Sequence, residues 1–344
     1  MRKVCATILE QIMREPDDPG NALLNMDVWD WSQGVALYGI WKYHQLTGDK
    51  TCLAYLTRWF DGKLHAPAVR NVNTTAPLLT LCCLYEETGN RQYLDFCLAW
   101  GDWVLHTMPK TEMGGIQHVT IDSENVQQMW ADTVFMTVLF LAKLGAVSRQ
   151  KRFTDEASRQ LMLHIRFLAD LKTGLWYHGW SFLRRDHFAG AFWARGNCWF
   201  TIAAAELEEL AQVDGWVRDM VLDAYRMQAA SLRFMQAPEG LWHTLLDHPD
   251  SYLETSGSAG FAYGMLRGVR LGYLDASFRD AAARAAHAVL RQVGADGAVR
   301  GVSYGTIVAE DLAYYKHVEL RPAGYGQALA LLLLVEMIRW EDRL

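Results

Sequence analysis

The stretch ADTVFMTVLFLAKLGAVSRQKRFTDEASRQLMLHIRF, residues 131–167, decides the fold. From Val134 to Leu144 it is apolar on nearly every side of a helical wheel. From Lys151 onward, Phe153, Ala157 and Leu161 share one face while charged residues take the other. A helix apolar all round is buried, and one with a charged face is peripheral. The stretch therefore reads as an inner helix, a turn and an outer helix.

Working outward, the pattern recurs along the chain. Periodic apolar segments lie near 3–14, 32–47, 50–61, 75–88, 91–107, 127–144, 150–169, 195–211, 215–236, 257–272, 276–293 and 323–341. Short turns join them in QLTGDKTCLAYL, EETGNRQYLDF, AKLGAVSRQKRF and RLGYLDASFRDA, and a glycine after a helix fits the left-handed C-cap. The other connections are long: 15–31, 62–74, 108–126, 170–194, 237–256 and 294–322. Three of them carry a glycine–apolar–histidine pattern, GIQH (115–118), GLWYH (174–178) and GLWH (240–243).

The spacing thus predicts twelve helices in six hairpins, a divergent internal repeat. Strict alternation of inner and outer helices predicts an all-α, closed double ring, an α/α toroid. The helices at 127–144 and 323–341 belong inside, and those at 150–169 and 276–293 outside. An open solenoid needs polar end caps, yet the final helix, QALALLLLVEMI, is among the most apolar. No Pro/Gly/Ser-rich linker divides the chain, so residues 1–344 read as one domain.

Composition narrows the class. The 344 residues are 51% apolar and 21% charged, enough for a large core and ordinary for a globular chain. A net charge of −6 speaks against a nucleic-acid partner. The N-terminal MRKVCATILEQIMREPDD is too polar for a signal-peptide core, and no apolar run reaches membrane-spanning length. A cytoplasmic protein, monomer or homodimer, is expected. Cysteines 5, 52, 82, 83, 97 and 198 form no CxxC pair and read as buried reduced thiols. His243, Asp247 and His248 match no zinc spacing, SGSAG (256–260) is no nucleophile elbow, and neither P-loop nor GxGxxG is present. No metal and no cofactor is expected.

Chemistry gathers where the long connections enter the inner helices. Eight of the fourteen tryptophans fall there: Trp29, Trp31, Trp130, Trp176, Trp180, Trp193, Trp199 and Trp242. Flat aromatic faces suit sugar rings, and a concave aromatic site is a natural ligand site. Asp30, Gln33, Asn71, Asn73, His118, Asp132, His178, Arg195, His243, Glu254 and Tyr304 converge on the same end. Asp132 opens an apolar helix, where desolvation raises a carboxyl pKa and the helix N-terminus lowers it. From position alone it reads equally as a cap and as a general acid. Arg195 offers planar donors for a carboxylate, or half of a structural ion pair.

At these residues the chain resembles the unsaturated rhamnogalacturonyl hydrolases, glycoside hydrolase family 105, relatives of the unsaturated glucuronyl hydrolases. The resemblance rests on WSQGVALYGIWK (31–42), QMWADTVFM (128–136), GLWYHGW (174–180), FWARGNCW (192–199), SYLETSGSAGFAYGMLRGVRLGYLD (251–275), VSYGT (302–306) and YGQALALLLLVE (325–336). It implies a six-hairpin α/α barrel and a glycosidase that hydrates the C4=C5 double bond of a terminal unsaturated uronic acid. It also implies Asp132 as acid/base and Trp31, Asn73, His118, His178, Trp193, Arg195 and Trp199 as substrate-binding residues. The small unsaturated oligosaccharide would be a pectin-derived disaccharide. Two departures stand out: Asn73 occupies the place of a second family aspartate, and Cys198 that of a glycine. Related readings are a hydrolase of unsaturated glucuronyl or other uronyl sugars, and an impaired sugar-binding protein on the same scaffold.

Overall fold

The computed structural model describes residues 1–14, 21–65 and 68–342. The expected connections 15–31 and 62–74 lie partly outside these residues. The helices are α1 (Arg2–Met13), α2 (Trp31–Thr47), α3 (Lys50–Asp61), α4 (Pro77–Thr88), α5 (Arg91–His106), α6 (Leu139–Ser148) and α7 (Lys151–Leu168). They continue as α8 (Ala194–Leu210), α9 (Gly215–Met235), α10 (Thr255–Arg270), α11 (Phe278–Gln292), the short α12 (Leu312–Lys316) and α13 (Gly324–Glu341).

Six of them form a closed inner ring: α2 packs on α4, α4 on α6, α6 on α8, α8 on α10, α10 on α13, and α13 back on α2. The outer helices α3, α5, α7, α9 and α11 each cover the inner helix that precedes them, and α1 covers α13. The molecule is the all-α, α/α barrel expected. Burial follows the composition of each helix. In α2 every residue from Ser32 to His44 is buried, whereas α7 buries only the stripe Phe153, Ala157, Gln160, Leu161, His164 and Leu168. The first and last helices meet, with Arg2 ion-paired to Asp342 at 2.7 Å. No helix among the described residues is long and apolar enough to cross a membrane. All six cysteines are free and buried.

Three expectations need correction. Residues 127–144 are not one helix. Asn125 and Gln127 adopt positive φ of 43° and 56°, which breaks helical propagation, and Gln128–Trp130 becomes a strand, β1. It pairs antiparallel with β2 (Gly179–Ser181), Trp130 opposite Gly179. The helix starts later, through a π-turn at Val134–Val138 that runs into α6. A second ribbon joins β3 (Trp242–His243) to β4 (Leu253–Glu254), and α12 adds a helical turn inside the connection 294–322. Finally, Gly48 and Gly89 are left-handed C-caps, but Gly145 is not. The helix runs past it to Ser148, and Arg149 takes the left-handed position. Gly145 serves packing instead: a Cβ there would lie 2.6 Å from Thr154 Cγ2 of the neighbouring α7.

The inner helices run parallel, so the barrel has two unlike ends. Their C-terminal halves carry paired charges. Glu206 of α8 is fully buried and lies 3.2 Å from both Lys42 Nζ of α2 and Arg267 Nη2 of α10. It also accepts the Tyr263 hydroxyl. Glu209 pairs with the same lysine at 2.9 Å and with the same arginine. Arg270 of α10 pairs with Glu336 of α13, and Lys143 of α6 with Glu86 of α4 at 2.7 Å. Burial pushes the Glu206 carboxyl up, but Arg267 and Lys42 outweigh it and hold the group below its usual range. Removing one partner of such a buried set leaves its cations uncompensated. Glu206→Ala should therefore cost roughly 3–5 kcal/mol in urea unfolding. A loss below about 1 kcal/mol, the level of an exposed pair, would show that Glu209 alone satisfies Lys42 and Arg267.

Candidate active site

The N-terminal ends of the inner helices form the other face, and its local structure comes from the two ribbons. β1 ends at Trp130, the Ala131 N–H donates to the His178 carbonyl at 2.9 Å, and Asp132 follows at the turn into the π-helix. The ribbon thereby sets Asp132 against His178. The π-turn adds a residue to the first turn of the helix, a departure often found at functional sites.

Asp132 keeps 15% of its side chain exposed. Its Oδ1 accepts the Trp199 indole N–H at 3.2 Å, and its Oδ2 faces His178 Nε2 at 3.3 Å. That second contact lacks hydrogen-bond geometry, and among the described residues neither Oδ2 nor Nε2 has another partner. Burial pushes the Asp132 carboxyl up, yet the His178 contact, with His118 and Arg195 beyond it, wins and holds it below the usual carboxylate range. The expected desolvation is present, but it does not prevail. His118 is buried, bonds Thr133 Oγ1 through Nδ1 at 2.8 Å, and is pulled down by burial to about 4. His178 is likewise lowered by burial, so both rings are neutral at neutral pH.

Aromatic rings link these groups into a column. Trp31, the first residue of α2, stacks on Tyr325 of α13 at 4.5 Å. The Arg195 guanidinium lies between Tyr325 and Trp193, 4.6 and 4.4 Å from their ring centres. Trp193 contacts His178 at 4.3 Å, His178 contacts Trp130 at 5.7 Å, and Trp130 stacks on His118 at 4.4 Å. Cation–π contacts of this kind stabilise a desolvated cation by about 2 kcal/mol or more.

Arg195 is itself 1% exposed. Its Nη1 donates to the Ser303 carbonyl at 2.7 Å, and Nη2 to the Tyr304 carbonyl at 3.0 Å and Thr306 Oγ1 at 3.1 Å. Among the described residues its Nε has no hydrogen-bond partner. Glu254, 3.9 Å from Nη1, is fully engaged. Its carboxylate accepts Ser256 N, Ser256 Oγ, Gly257 N and Ser303 N, which makes it the N-cap of α10 and an anchor for residue 303.

The structure thus brings Trp31, His118, Asp132, His178, Trp193, Arg195 and Trp199 into one continuous set. Asn73 opens a 3₁₀ turn whose Thr75 hydroxyl bonds the Met136 carbonyl at 3.0 Å and Thr137 Oγ1 at 2.8 Å, so it borders the π-turn after Asp132. The picture of eight tryptophans lining a pocket needs revision. Trp176 is buried against Phe200, Trp242 is buried with its indole N–H on the Leu232 carbonyl, and Trp29 belongs to a cluster with Trp59 and Trp100 of the outer helices. Gln33 pins the carbonyls of Ala22 and Asn25, Asp30 caps α2, and Asn71 closes the turn before Thr74. His243 bonds the Ser251 carbonyl and stands apart. Among the described residues no cluster has the ligands for a metal ion. Sequence reading missed Tyr325, which hides in an apolar helix motif, and Tyr315, in a long connection without periodicity. Chemically, the set offers one partly open carboxylate between N–H donors, beside a buried cation and aromatic walls.

Comparison with known proteins places this set in context. The chain is 33% identical to the unsaturated rhamnogalacturonyl hydrolase YesR of Bacillus subtilis over 92% of its length and 91% of the relative's. A solved structure from Salmonella enterica serovar Paratyphi A, described as a possible member of the GH105 family, superposes with a TM-score of 0.96 at 39% identity, covering 99% of this chain and 94% of that one. The unsaturated glucuronyl hydrolase of Bacillus sp. GL1 shares the fold, with a TM-score of 0.74 at 19% identity over 96% and 93% of the two chains. The profile of Glycosyl Hydrolase Family 88 matches residues 2–341, and the chain belongs to that family of glycoside hydrolases.

Proposed function

We propose that this glycoside hydrolase releases a 4,5-unsaturated uronic acid, unsaturated galacturonic acid in the first instance, from a small rhamnogalacturonan-derived oligosaccharide. One observation carries the choice of Asp132 as acid/base. Its side chain is 15% exposed and, among the described residues, its Oδ2 accepts no hydrogen bond, whereas the Glu254 carboxylate accepts four, from Ser256 N, Ser256 Oγ, Gly257 N and Ser303 N. The substrate class is carried over from the Bacillus subtilis relative. We place the reaction in the cytoplasm, where six buried thiols stay reduced, in a single catalytic domain acting as a monomer or homodimer.

In this scheme the Asp132 carboxyl gives its proton to C4 of the enol ether. Water then adds to the cationic C5, and the Asp132 carboxylate takes a proton from that water. The resulting hemiketal opens, and the leaving sugar departs with its glycosidic oxygen. A single carboxyl serves both steps, so Asn73 need not transfer protons and acts in orienting the substrate. Arg195 supplies the positive charge facing the substrate carboxylate, with Nε as the donor still unengaged. Trp31 and the edges of Trp193 and Trp199 border the sugar, and His118 and His178 hold its hydroxyls and Asp132.

Asp132→Asn should fold normally and lose roughly 10²–10⁴-fold in kcat, the usual scale for a general acid–base group. Loss of absorbance at the enol-ether band of a lyase-generated disaccharide measures it, and near-wild-type turnover would move the proton transfer to another residue.

The depressed Asp132 carboxyl also fixes a pH dependence. At neutral pH it is an anion in the free enzyme and must gain a proton before it can donate one. The competent fraction therefore grows as pH falls, while His118 stays neutral until about 4. kcat/KM should rise from about pH 8 to about pH 5, since that ratio reports the free enzyme. An alkaline optimum would contradict the assignment.

Arg195→Lys retains charge but not the planar fork. Its kcat/KM on the unsaturated disaccharide should fall by about 1.5–3 kcal/mol, the scale of a charge-assisted hydrogen bond, and by clearly less on the methyl ester. Equal losses on both would leave Arg195 a scaffold residue without a role toward the carboxylate.

A further inference from the structure

Behind His178, on the side away from Asp132, lies a hydroxyl that none of the preceding steps uses. Tyr315 of α12 is 1% exposed, and its Oη sits 2.8 Å from His178 Nδ1. The same oxygen accepts the Ala309 backbone N–H at 3.1 Å. An amide N–H can only donate, so the phenol oxygen is the acceptor there, and among the described residues the phenol proton is left for one acceptor, Nδ1. Nδ1 must then be the unprotonated nitrogen, and Nε2 carries the hydrogen. That N–H is the atom facing Asp132 Oδ2 at 3.3 Å. The opposite tautomer fails at both ends. It would turn a lone pair toward a carboxylate, and it would leave a buried phenol proton with nothing to bond, each a costly arrangement away from water.

We infer that Tyr315 is a positioning residue for the reaction: held by the Ala309 amide, its hydroxyl fixes His178 as the neutral Nε2–H tautomer and so keeps a hydrogen-bond donor, not an acceptor, against Asp132. The inference rests on the assignment of Asp132 as acid/base. It deepens that assignment by explaining why His178 does not compete for the carboxyl proton. An imidazole presenting a lone pair would draw the proton away from C4; one presenting N–H steadies the carboxylate without taking its proton. The charged and titratable groups around the ring are Asp132 and Arg195, with His118 beyond Trp130, and none of them reaches Nδ1. Among the described residues Tyr315 is the hydrogen-bond partner of that nitrogen. Its ring also packs against His178 at 5.6 Å and Trp193 at 6.4 Å, so removing only the hydroxyl leaves the packing in place.

Tyr315→Phe should lower kcat roughly tenfold, the effect of losing one ordinary hydrogen bond of about 1.4 kcal/mol, while KM stays within about twofold. If the hydroxyl acts through His178, His178→Asn combined with Tyr315→Phe should be no slower than His178→Asn alone. Independently of turnover, ¹⁵N spectra of histidine-labelled free enzyme should show His178 protonated at Nε2. In Tyr315→Phe its Nδ1 resonance should lose the shift due to hydrogen bonding. A wild-type spectrum with the proton on Nδ1, or losses that multiply in the double variant, would overturn the inference. Full activity in Asp132→Asn would sink the acid/base assignment instead and leave the tautomer measurement standing, so the two failures can be told apart.

Discussion

A guanidinium buried between two aromatic rings holds the mouth of this barrel together. Arg195 takes a charge out of water, which costs several kcal/mol unless the surroundings compensate. Here Trp193 and Tyr325 provide ring faces, and the backbone of residues 303 and 304 provides carbonyls. Each of these belongs to a different part of the chain. α8 carries the arginine, α13 carries Tyr325, and the connection before α13 is drawn across the ring to reach the guanidinium. Glu254 completes the knot by capping α10 and bonding Ser303 N. Moving one member of this set removes a partner from a buried cation or a buried carboxylate.

The ends of the barrel divide the electrostatic labour. At the far end acidic and basic side chains neutralise one another across the ring, tying α2, α8 and α10 by Lys42, Glu206 and Arg267. At the mouth, the helix N-termini point inward with partial positive charge, and Arg195 adds a full one. A chain of net charge −6 thereby offers an anionic sugar a locally attractive site. The fold gathers that positive end by aligning six inner helices the same way.

How much of this is legible in the sequence depends on which force does the deciding. Burial is readable: the apolar circumference of residues 134–144 and of α13, against the striped α7, places each helix in its ring without any coordinates. Local turn chemistry is readable where one residue settles it, as at Gly48 and Gly89. It fails at Gly145, because a glycine kept for close approach to Thr154 looks the same as one kept for left-handed φ. The strand at 128–130 was hidden for a related reason. Its partner lies fifty residues away, and the helical periodicity around Asp132 continues through it. Asp132, His178, Trp193, Arg195 and Trp199 were found through motif resemblance, since spacing alone left Asp132 a cap or an acid. Tyr315 and Tyr325 carry no local signal at all, because their roles arise only when a long connection folds back over the ring.

The closure of the ring has a bearing on how the chain reaches its native state. α13 is both the last inner helix and the wall shared by α2, α10 and α1, which are spread across the whole sequence. During synthesis on the ribosome, the early helices emerge long before that wall exists. The apolar flank of α2 must wait while nearly three hundred residues are made. Contacts between such distant segments form late, after a large loss of chain freedom, and the unfinished barrel exposes sticky surface meanwhile. Sequential hairpins of inner and outer helices shorten that exposure, since each can collapse locally as it appears. The packing of α13 between α10 and α2 closes the toroid and sets Tyr325 beside Arg195.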